Sequence, residues 1–459
     1  MNKVNRDILR IAVPSVITNV TTPLLGLIDV AITGHMGNPA YLAAIAVGSM
    51  VLNMVYWLMG FLRMSASGLT AQAWGRGDLH AQALLLVREL LLAAGIGVLI
   101  IALSPIYGDK LIAFVDPAQA TEGLTRQYVS ILILGAPAVL STYALTGWFL
   151  GRQNSRIAMW TSFVINITNI LVSLLLVFGL GWKIKGVATG TLVAQWTGAL
   201  MLLIVAMRSG LPHISLREAT RTRDLGALVK VNTAVFLRTL CLVAVTVWFT
   251  RTGAAQGSVM LAANAMLMQL FMLFSYMMDG VAYAGEAIVG RDVGARDMAG
   301  LRRSVAGLLK WSGLLALLFT VAYIIGGEWL LGILSDEHQV VLTAREYEGW
   351  AFIVPLAGFA AMTWDGVMIG ATLNRLMLAS MGVAAAVFFV TYALAYPPMG
   401  NHGLWLAFVA YLFTRGVVQS AMWPGVKRRL AASFAVAAPL PTTSSSVSSS
   451  PLKTESSNR

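Results

Sequence analysis

A carboxylate set inside a long apolar run is the feature of this chain most able to do chemistry. Asp29 follows Pro23-Leu-Leu-Gly-Leu-Ile, and Asp279, Glu286 and Asp365 sit in comparable surroundings further along. A charge in hydrocarbon costs at least ~2.5–3.5 kcal/mol even on the lenient insertion scale, and such residues mark ion pathways and binding sites. The chemistry open to them is reversible binding of a proton or a cation. Asp29 has the most suggestive context. Pro14 and Pro23 each remove a backbone hydrogen bond from the same segment, which lets a helix bend and frees carbonyls near the carboxylate. Asn166, Asn169 and Ser173 recur at spacings of three and four, so they share one helix face. That stripe is either the wall of a wetted cavity or packing glue between helices. Asp279 and Glu286 are seven apart on one face, and Asp279-Gly280 and Asp365-Gly366 each place a carboxylate beside a helix-weakening glycine. Arg238 has no acidic neighbour in sequence and is expected to pair with one of these carboxylates in space. For Asp279, Glu286, Asp365 and Arg238 a structural ion pair and a transport role both stay open. Asp29 reads as the only acidic residue embedded in the first half of the chain.

Other chemistries have little to stand on. The chain holds no GxxxxGK[ST] string and no Gly-Lys pair, so a P-loop for ATP is excluded. His35, His80, His213, His338 and His402 sit in loops or near the ends of apolar runs, and none forms an HExxH pair. No metal and no cofactor is expected, and an ion gradient is the expected energy source. The single cysteine, Cys241, cannot form an intrachain disulfide. A net charge of +12 would suggest nucleic acid in a soluble protein. Here it is expected to fix loops on one side of a membrane, with no nucleic-acid partner.

The elements that must position these residues follow from composition. Of 459 residues, 58% are hydrophobic and only 11% charged, with a mean hydropathy of +0.75. So little polar material cannot cover a soluble fold of this size, and a soluble enzyme is excluded. Apolar windows fall at about 11–33, 41–72, 84–106, 127–150, 157–180, 186–207, 228–250, 259–289, 304–326, 347–371, 376–395 and 403–424. The expected fold is an all-α integral membrane bundle of twelve spans. Its parts are a first lobe over 1–207, a polar connector over 208–227, a second lobe over 228–430 and a Ser/Thr/Pro-rich disordered tail over 431–459. The basic start runs into an apolar stretch too long for a signal-peptide core, so it reads as a retained first span. With the N-terminus inside, 21 Lys and Arg fall in cytoplasmic segments and 6 on the other side. Both termini are therefore expected in the cytoplasm. The halves are also related: shifted by 219 residues, Leu42-Ala43-Ala44 lands on Leu261-Ala262-Ala263, Gly75 on Gly294, Asp78 on Asp297, Tyr128 on Tyr347 and Gly151 on Gly370. Each half has an even number of spans, so the repeats run parallel and a cavity is expected between them.

These strings carry a resemblance. The opening Ile-Ala-Val-Pro14-Ser, Pro23 to Asp29, Gly34-His35 and the Gly75-Arg-Gly-Asp78 loop resemble the multidrug and toxic compound extrusion (MATE) transporters over about 1–430. Asp279-Gly-Val-Ala-Tyr-Ala-Gly-Glu286, Asp365-Gly-Val-Met-Ile-Gly370 and Gly400-Asn-His402-Gly are similar to the DNA-damage-inducible protein F branch. The resemblance implies two six-helix lobes in a V, in a multi-pass protein of a bacterial cytoplasmic membrane, active as a monomer among membrane lipids. It implies export of amphipathic, often cationic small molecules in exchange for H⁺ or Na⁺. Asp29 matches the proton site and Asn169 its fifth-span partner, whereas Ser173 stands where the family usually has Asp. Asp365 matches an acidic residue of the sodium-linked branch, whose seventh-span Glu has no counterpart in 232–248, so proton coupling is the expectation. The alternative is a flippase for a lipid-linked precursor. Those members of the superfamily usually have fourteen spans and a more basic cavity.

Overall fold

The computed structural model describes residues 3–36, 38–115 and 119–436, and every regular element among them is helical. In chain order these are α1 Lys3–Gly34, α2 Pro39–Gly75, α3 Leu79–Val115, α4 Thr121–Gly151, α5 Ser155–Gly179 and α6 Lys183–Met207. A four-residue helix, Leu216–Ala219, interrupts the connector. Then come α7 Thr222–Ala255, α8 Ser258–Gly294, α9 Met298–Leu334, α10 His338–Gly370, α11 Asn374–Met399 and α12 Asn401–Val436. Eleven of them, α2 to α12, are long and apolar enough over their described residues to cross a bilayer. α1, 32 residues long, packs along α5 and α8 and makes the twelfth.

The helices run past the expected connector and tail boundaries. α7 begins at Thr222 rather than 228, and α12 carries on through Ala431–Val436, because Leu430-Ala-Ala offers nothing to stop a helix. The serine-rich segment from 437 lies outside the described residues. Proline shapes several helices from within, at Pro105, Pro355, Pro397, Pro398 and Pro424. At Pro14 the missing N–H leaves the Arg10 carbonyl, which accepts instead from Ser155 Oγ of α5 at 3.5 Å. The helix at Pro23 is continuous in backbone.

The repeat is written into the backbone. Gly77 and Arg296 both have positive φ (70° and 56°), as do Gln153 and Thr372 (64° and 54°), and each pair is 219 apart. Asp78 Oδ1 caps α3 by accepting from Ala81 N at 2.8 Å. Asp297 Oδ1 caps α9 by accepting from Gly300 N at 2.8 Å. Glycine contacts repeat as well. Gly147 of α4 lies against the Arg63 carbonyl of α2, and Gly366 of α10 against the Ala282 carbonyl of α8. Gly151 meets the Ser67 carbonyl and Gly370 the Glu286 carbonyl, again mates under the same shift. A Cβ at any of these would strike backbone, so helices approach this closely only with glycine there.

The two halves meet at the end that carries the basic loops. Gly75 of α2 lies on the Arg291 carbonyl of α8, and Gly294 of α8 on the Gln72 carbonyl of α2, a reciprocal pair across the pseudo-two-fold. Gln72 Nε2 donates to the Gly370 carbonyl at 3.0 Å and to Thr372 Oγ1 at 3.1 Å; Arg291 pairs with Asp7 at 3.1 Å. One buried apolar cluster crosses both halves through Ile8, Leu62, Ile288 and Ile369. Another, with Phe249, Phe388 and Trp405, belongs to the second half alone. Outward-facing residues such as Ile325, 81% exposed, suit hydrocarbon rather than water.

Candidate functional site

The buried carboxylates expected from the sequence fall into three groups of polar side chains. The first joins α1, α5 and α6. Asp29 is 5% exposed. Asn169 Nδ2 donates to Thr191 Oγ1 at 2.8 Å, and the Thr191 hydroxyl shares its proton between Asp29 Oδ2 at 3.4 Å and the Val187 carbonyl at 3.1 Å. Asp29 Oδ1 and Asn169 Oδ1 are buried acceptors with no donor among the described residues. Thr33 Oγ1 donates to the Asp29 carbonyl at 2.5 Å and so steadies the turn that presents the carboxylate.

The α5 stripe does not act as a unit. Asn166 Nδ2 donates to the Thr21 carbonyl at 3.2 Å and fastens α5 to α1, which is glue. Asn169 alone reaches the Asp29 group. Ser173 is fully buried, its Oγ has no hydrogen-bond partner among the described residues, and it lies against Gly190 of α6. Just beyond it α5 widens into a π turn, Leu175–Gly179, with Leu180 N donating to the Leu175 carbonyl at 3.1 Å.

The second group lies inside the second half. Asp365 Oδ2 is held by Arg238 of α7 and, at 3.3 Å, by Arg415 of α12, while Oδ1 accepts from Gln419 Nε2 at 3.0 Å. Both oxygens of this carboxylate are occupied. The third group spans the halves. Arg63 of α2 forks onto Glu286 of α8 through bonds of 3.0 and 3.1 Å, and its guanidinium lies 4.0 Å from the centre of the Tyr283 ring. Glu286 is therefore tied to the first half rather than to Asp279. Asp279 makes no hydrogen bond to a described residue, yet lies within electrostatic reach of Arg63, Arg238, Glu286 and Asp365.

The expected C-lobe set of Asp279, Glu286, Asp365 and Arg238 thus splits between two ion pairs, with Asp279 between them. Arg63, Arg415, Gln419 and Thr191 were not anticipated. The cost of a charge in hydrocarbon applies to cations as to carboxylates, and would have flagged both arginines. Asp29 is also not the only carboxylate embedded in the first half. Glu89 of α3 is 1% exposed, accepts from Ser65 Oγ at 2.8 Å and has no partner for Oε2 among the described residues. Glu89 follows Arg88 directly, and an adjacent cation makes a carboxylate read as part of a polar helix end. No group of three or more His, Cys, Asp or Glu able to hold a metal occurs among the described residues.

Comparisons with known proteins agree with this architecture. The profile of the MatE family matches residues 14–175 and 232–396, one block in each half. The chain is 38% identical over 423 residues to DNA damage-inducible protein F of Escherichia coli (strain K12), covering 91% of this chain and 92% of that one. It is 23% identical over 443 residues, 91% of each chain, to a probable multidrug resistance protein NorM of Thermotoga maritima. Its fold superposes on a crystal structure of MATE in the bent conformation with a TM-score of 0.84 at 18% identity, covering 95% of this chain and 98% of that one. The chain is a multi-pass membrane protein and belongs to the MatE family of transporters.

Proposed function

We propose that this protein is a proton-coupled antiporter that exports amphipathic, often cationic compounds from the cytoplasm by alternating access. The observation that carries the reading is the Asp29 group. Two buried acceptors, Asp29 Oδ1 and Asn169 Oδ1, face no donor among the described residues, and a proton on the carboxyl supplies one while removing a charge from an apolar bundle. Binding and release of that proton change what α1, α5 and α6 can pack against, which biases one arrangement of the bundle over another. Asp365, with both oxygens occupied by Arg238, Arg415 and Gln419, suits a fixed structural anchor rather than an exchanging site. Na⁺ coupling through the second half is correspondingly disfavoured.

Asp279 is the carboxylate best placed to meet a cationic cargo, since it has no hydrogen-bonded partner among the described residues. The interlobe contacts of Gly75, Gly294, Gln72 and Asp7 lie at the basic end, which the distribution of Lys and Arg assigns to the cytoplasm. A closed cytoplasmic end corresponds to the outward-facing state of the cycle.

A flippase for a lipid-linked precursor remains the second reading, favoured by one observation. Arg63, Arg238 and Arg415 are all drawn into the bundle, and around Asp365 two guanidiniums face one carboxylate. An anionic headgroup would find positive charge there. Everted membrane vesicles separate the readings. Uptake of an amphipathic cationic dye should follow the pH gradient, collapse when that gradient is dissipated, and survive removal of Na⁺. Dye uptake no faster than in vesicles lacking the protein, with translocation of a polyprenyl pyrophosphate, would favour the flippase.

A further inference from the structure

α9 and α12 both pack on α10, and between their basic ends lies a cleft of about 320 Å³. It is lined by Arg302 of α9 and by Pro424, Lys427, Arg428 and Ala431 of α12. Three cations converge on it, and none of its lining residues is acidic. α12 contains no Asp or Glu, and the one acidic residue of α9, Glu328, stands at the opposite end of that helix and pairs with Arg345 at 2.5 Å. Asp297, just before α9, spends its Oδ1 on capping Gly300 N. Arg302, Lys427 and Arg428 form no ion pair with any described residue. Loop cations that only set orientation repel one another and spread into water. Three gathered around one cleft call for a shared anion.

The surroundings of the cleft say what kind of anion. Phe413, Val417, Ser420, Pro424 and Arg428 follow at spacings of four, three, four and four, and all are exposed, so they form one stripe along α12. Arg428 and Pro424 line the cleft, while Phe413 (59% exposed) and Val417 continue the stripe towards the bilayer centre. On α9, Leu314 and Leu317, 12 and 15 residues beyond Arg302, are exposed as well. A positive pocket opening onto an apolar stripe fits an amphipathic anion better than a free one.

We propose that this cleft binds the phosphate headgroup of an anionic phospholipid of the adjoining leaflet, with its acyl chains lying along the Phe413–Val417 stripe. The phosphate bridges Arg302 to Lys427 and Arg428, and so ties α9 to α12 across α10, the helix that carries Asp365. The site is separate from the Asp29 group and does not depend on which ion or cargo the protein moves.

Native mass spectrometry of the full-length protein tests this directly. The protein is released from detergent containing equimolar phosphatidylglycerol and phosphatidylcholine with the same acyl chains. The expected result is one retained phosphatidylglycerol, favoured at least ~tenfold over phosphatidylcholine. That lipid should be lost in the Arg302→Gln/Lys427→Gln/Arg428→Gln variant and kept in Arg208→Gln/Arg217→Gln/Arg221→Gln, which removes the same charge from exposed positions elsewhere. Equal retention of the two lipids by the unmodified protein would overturn the proposal whatever the variants do. So would a cleft variant that holds phosphatidylglycerol as well as the control does. Displacement of the lipid by millimolar inorganic phosphate would mark a simple anion site and overturn the lipid assignment.

Discussion

Asp29 and Asp365 are buried alike, at 5% and 6% exposure, and differ in what surrounds them. Asp365 meets two guanidiniums and an amide, so replacing it by Asn strands Arg238 and Arg415 in an apolar interior. Breaking a buried pair in this way costs ~3–5 kcal/mol. Asp29 meets one shared hydroxyl proton, and Asn in its place has nearly the same shape with no charge to strand. The two substitutions should therefore fail differently. Asp29→Asn is expected to keep its level in the membrane and its melting temperature while proton-driven dye export falls to that of cells lacking the protein. Asp365→Asn is expected to lower membrane level and melting temperature, with export falling in proportion. Quantitative blotting, thermal melts in detergent and dye export measured on the same cells separate these patterns. An Asp29→Asn variant with full proton-driven export would end the assignment. At this scale the sequence was informative at Asp29, Asp279, Glu286 and Asp365, where a carboxylate breaking an apolar run costs energy at once, but not at Glu89, which follows Arg88 directly. It was silent about partners. Thr191 is unremarkable in its own run, and Arg238 found Asp365, 127 residues away, only through the fold.

Helices here come together through glycine, and the same substitution should act differently according to which helices a glycine joins. Gly366 brings α10 onto α8 within the second half, whereas Gly294 brings α8 onto α2 between the halves. Overpacking either contact costs ~1–3 kcal/mol, which moves a two-state equilibrium roughly 5- to 150-fold. In Gly366→Val that cost falls on a contact within one half and should lower thermal stability and membrane level. In Gly294→Val it falls only on the state in which the basic ends are closed. That variant should be made at normal level, export slowly, and react more readily with a thiol reagent from the basic side at a cysteine placed at Ala71, which packs against Gly290. If Gly294→Val exports normally, the Gly75–Gly294 pair is not part of a moving contact. The elements themselves were the most legible part of the sequence. Runs of apolar residues leave a helix as the only way to satisfy backbone groups in a bilayer, so number and order followed. Boundaries were less legible, as at α7 and α12, because helices carry on past the bilayer until a residue stops them. The break of α2 at Met59-Gly60 and the π turn of α5 were not read, since hydropathy is the same on both sides of each.

Taken whole, the molecule is a symmetric scaffold with an asymmetric filling. The shift of 219 residues that relates caps, positive-φ turns and glycine contacts places Trp248 opposite Asp29, Phe388 opposite Asn169, Thr146 opposite Asp365 and Trp196 opposite Arg415. The repeat is thus kept where helices must approach and lost where polar groups are buried, so each half holds its own chemistry. A parallel repeat also forces both halves to cross the membrane in the same sense, and this makes orientation a single question for the whole chain. The expected answer rests on 21 Lys and Arg against 6 at the two ends of the bundle. Single cysteines in a Cys241→Ser background read it out. Asn38 and Glu337 lie at loops of one end, one in each half, while Asp78 and His213 lie at the other, and all four are exposed. In intact cells a membrane-impermeant maleimide should label cysteines at Asn38 and Glu337, and should reach Asp78 and His213 only after the cells are opened. Because Asn38 and Glu337 come from different halves, their agreement also tests the parallel repeat. Labelling of Asp78 and His213 from outside would reverse the orientation, whereas labelling of Asn38 without Glu337 would break the repeat and leave the halves opposed.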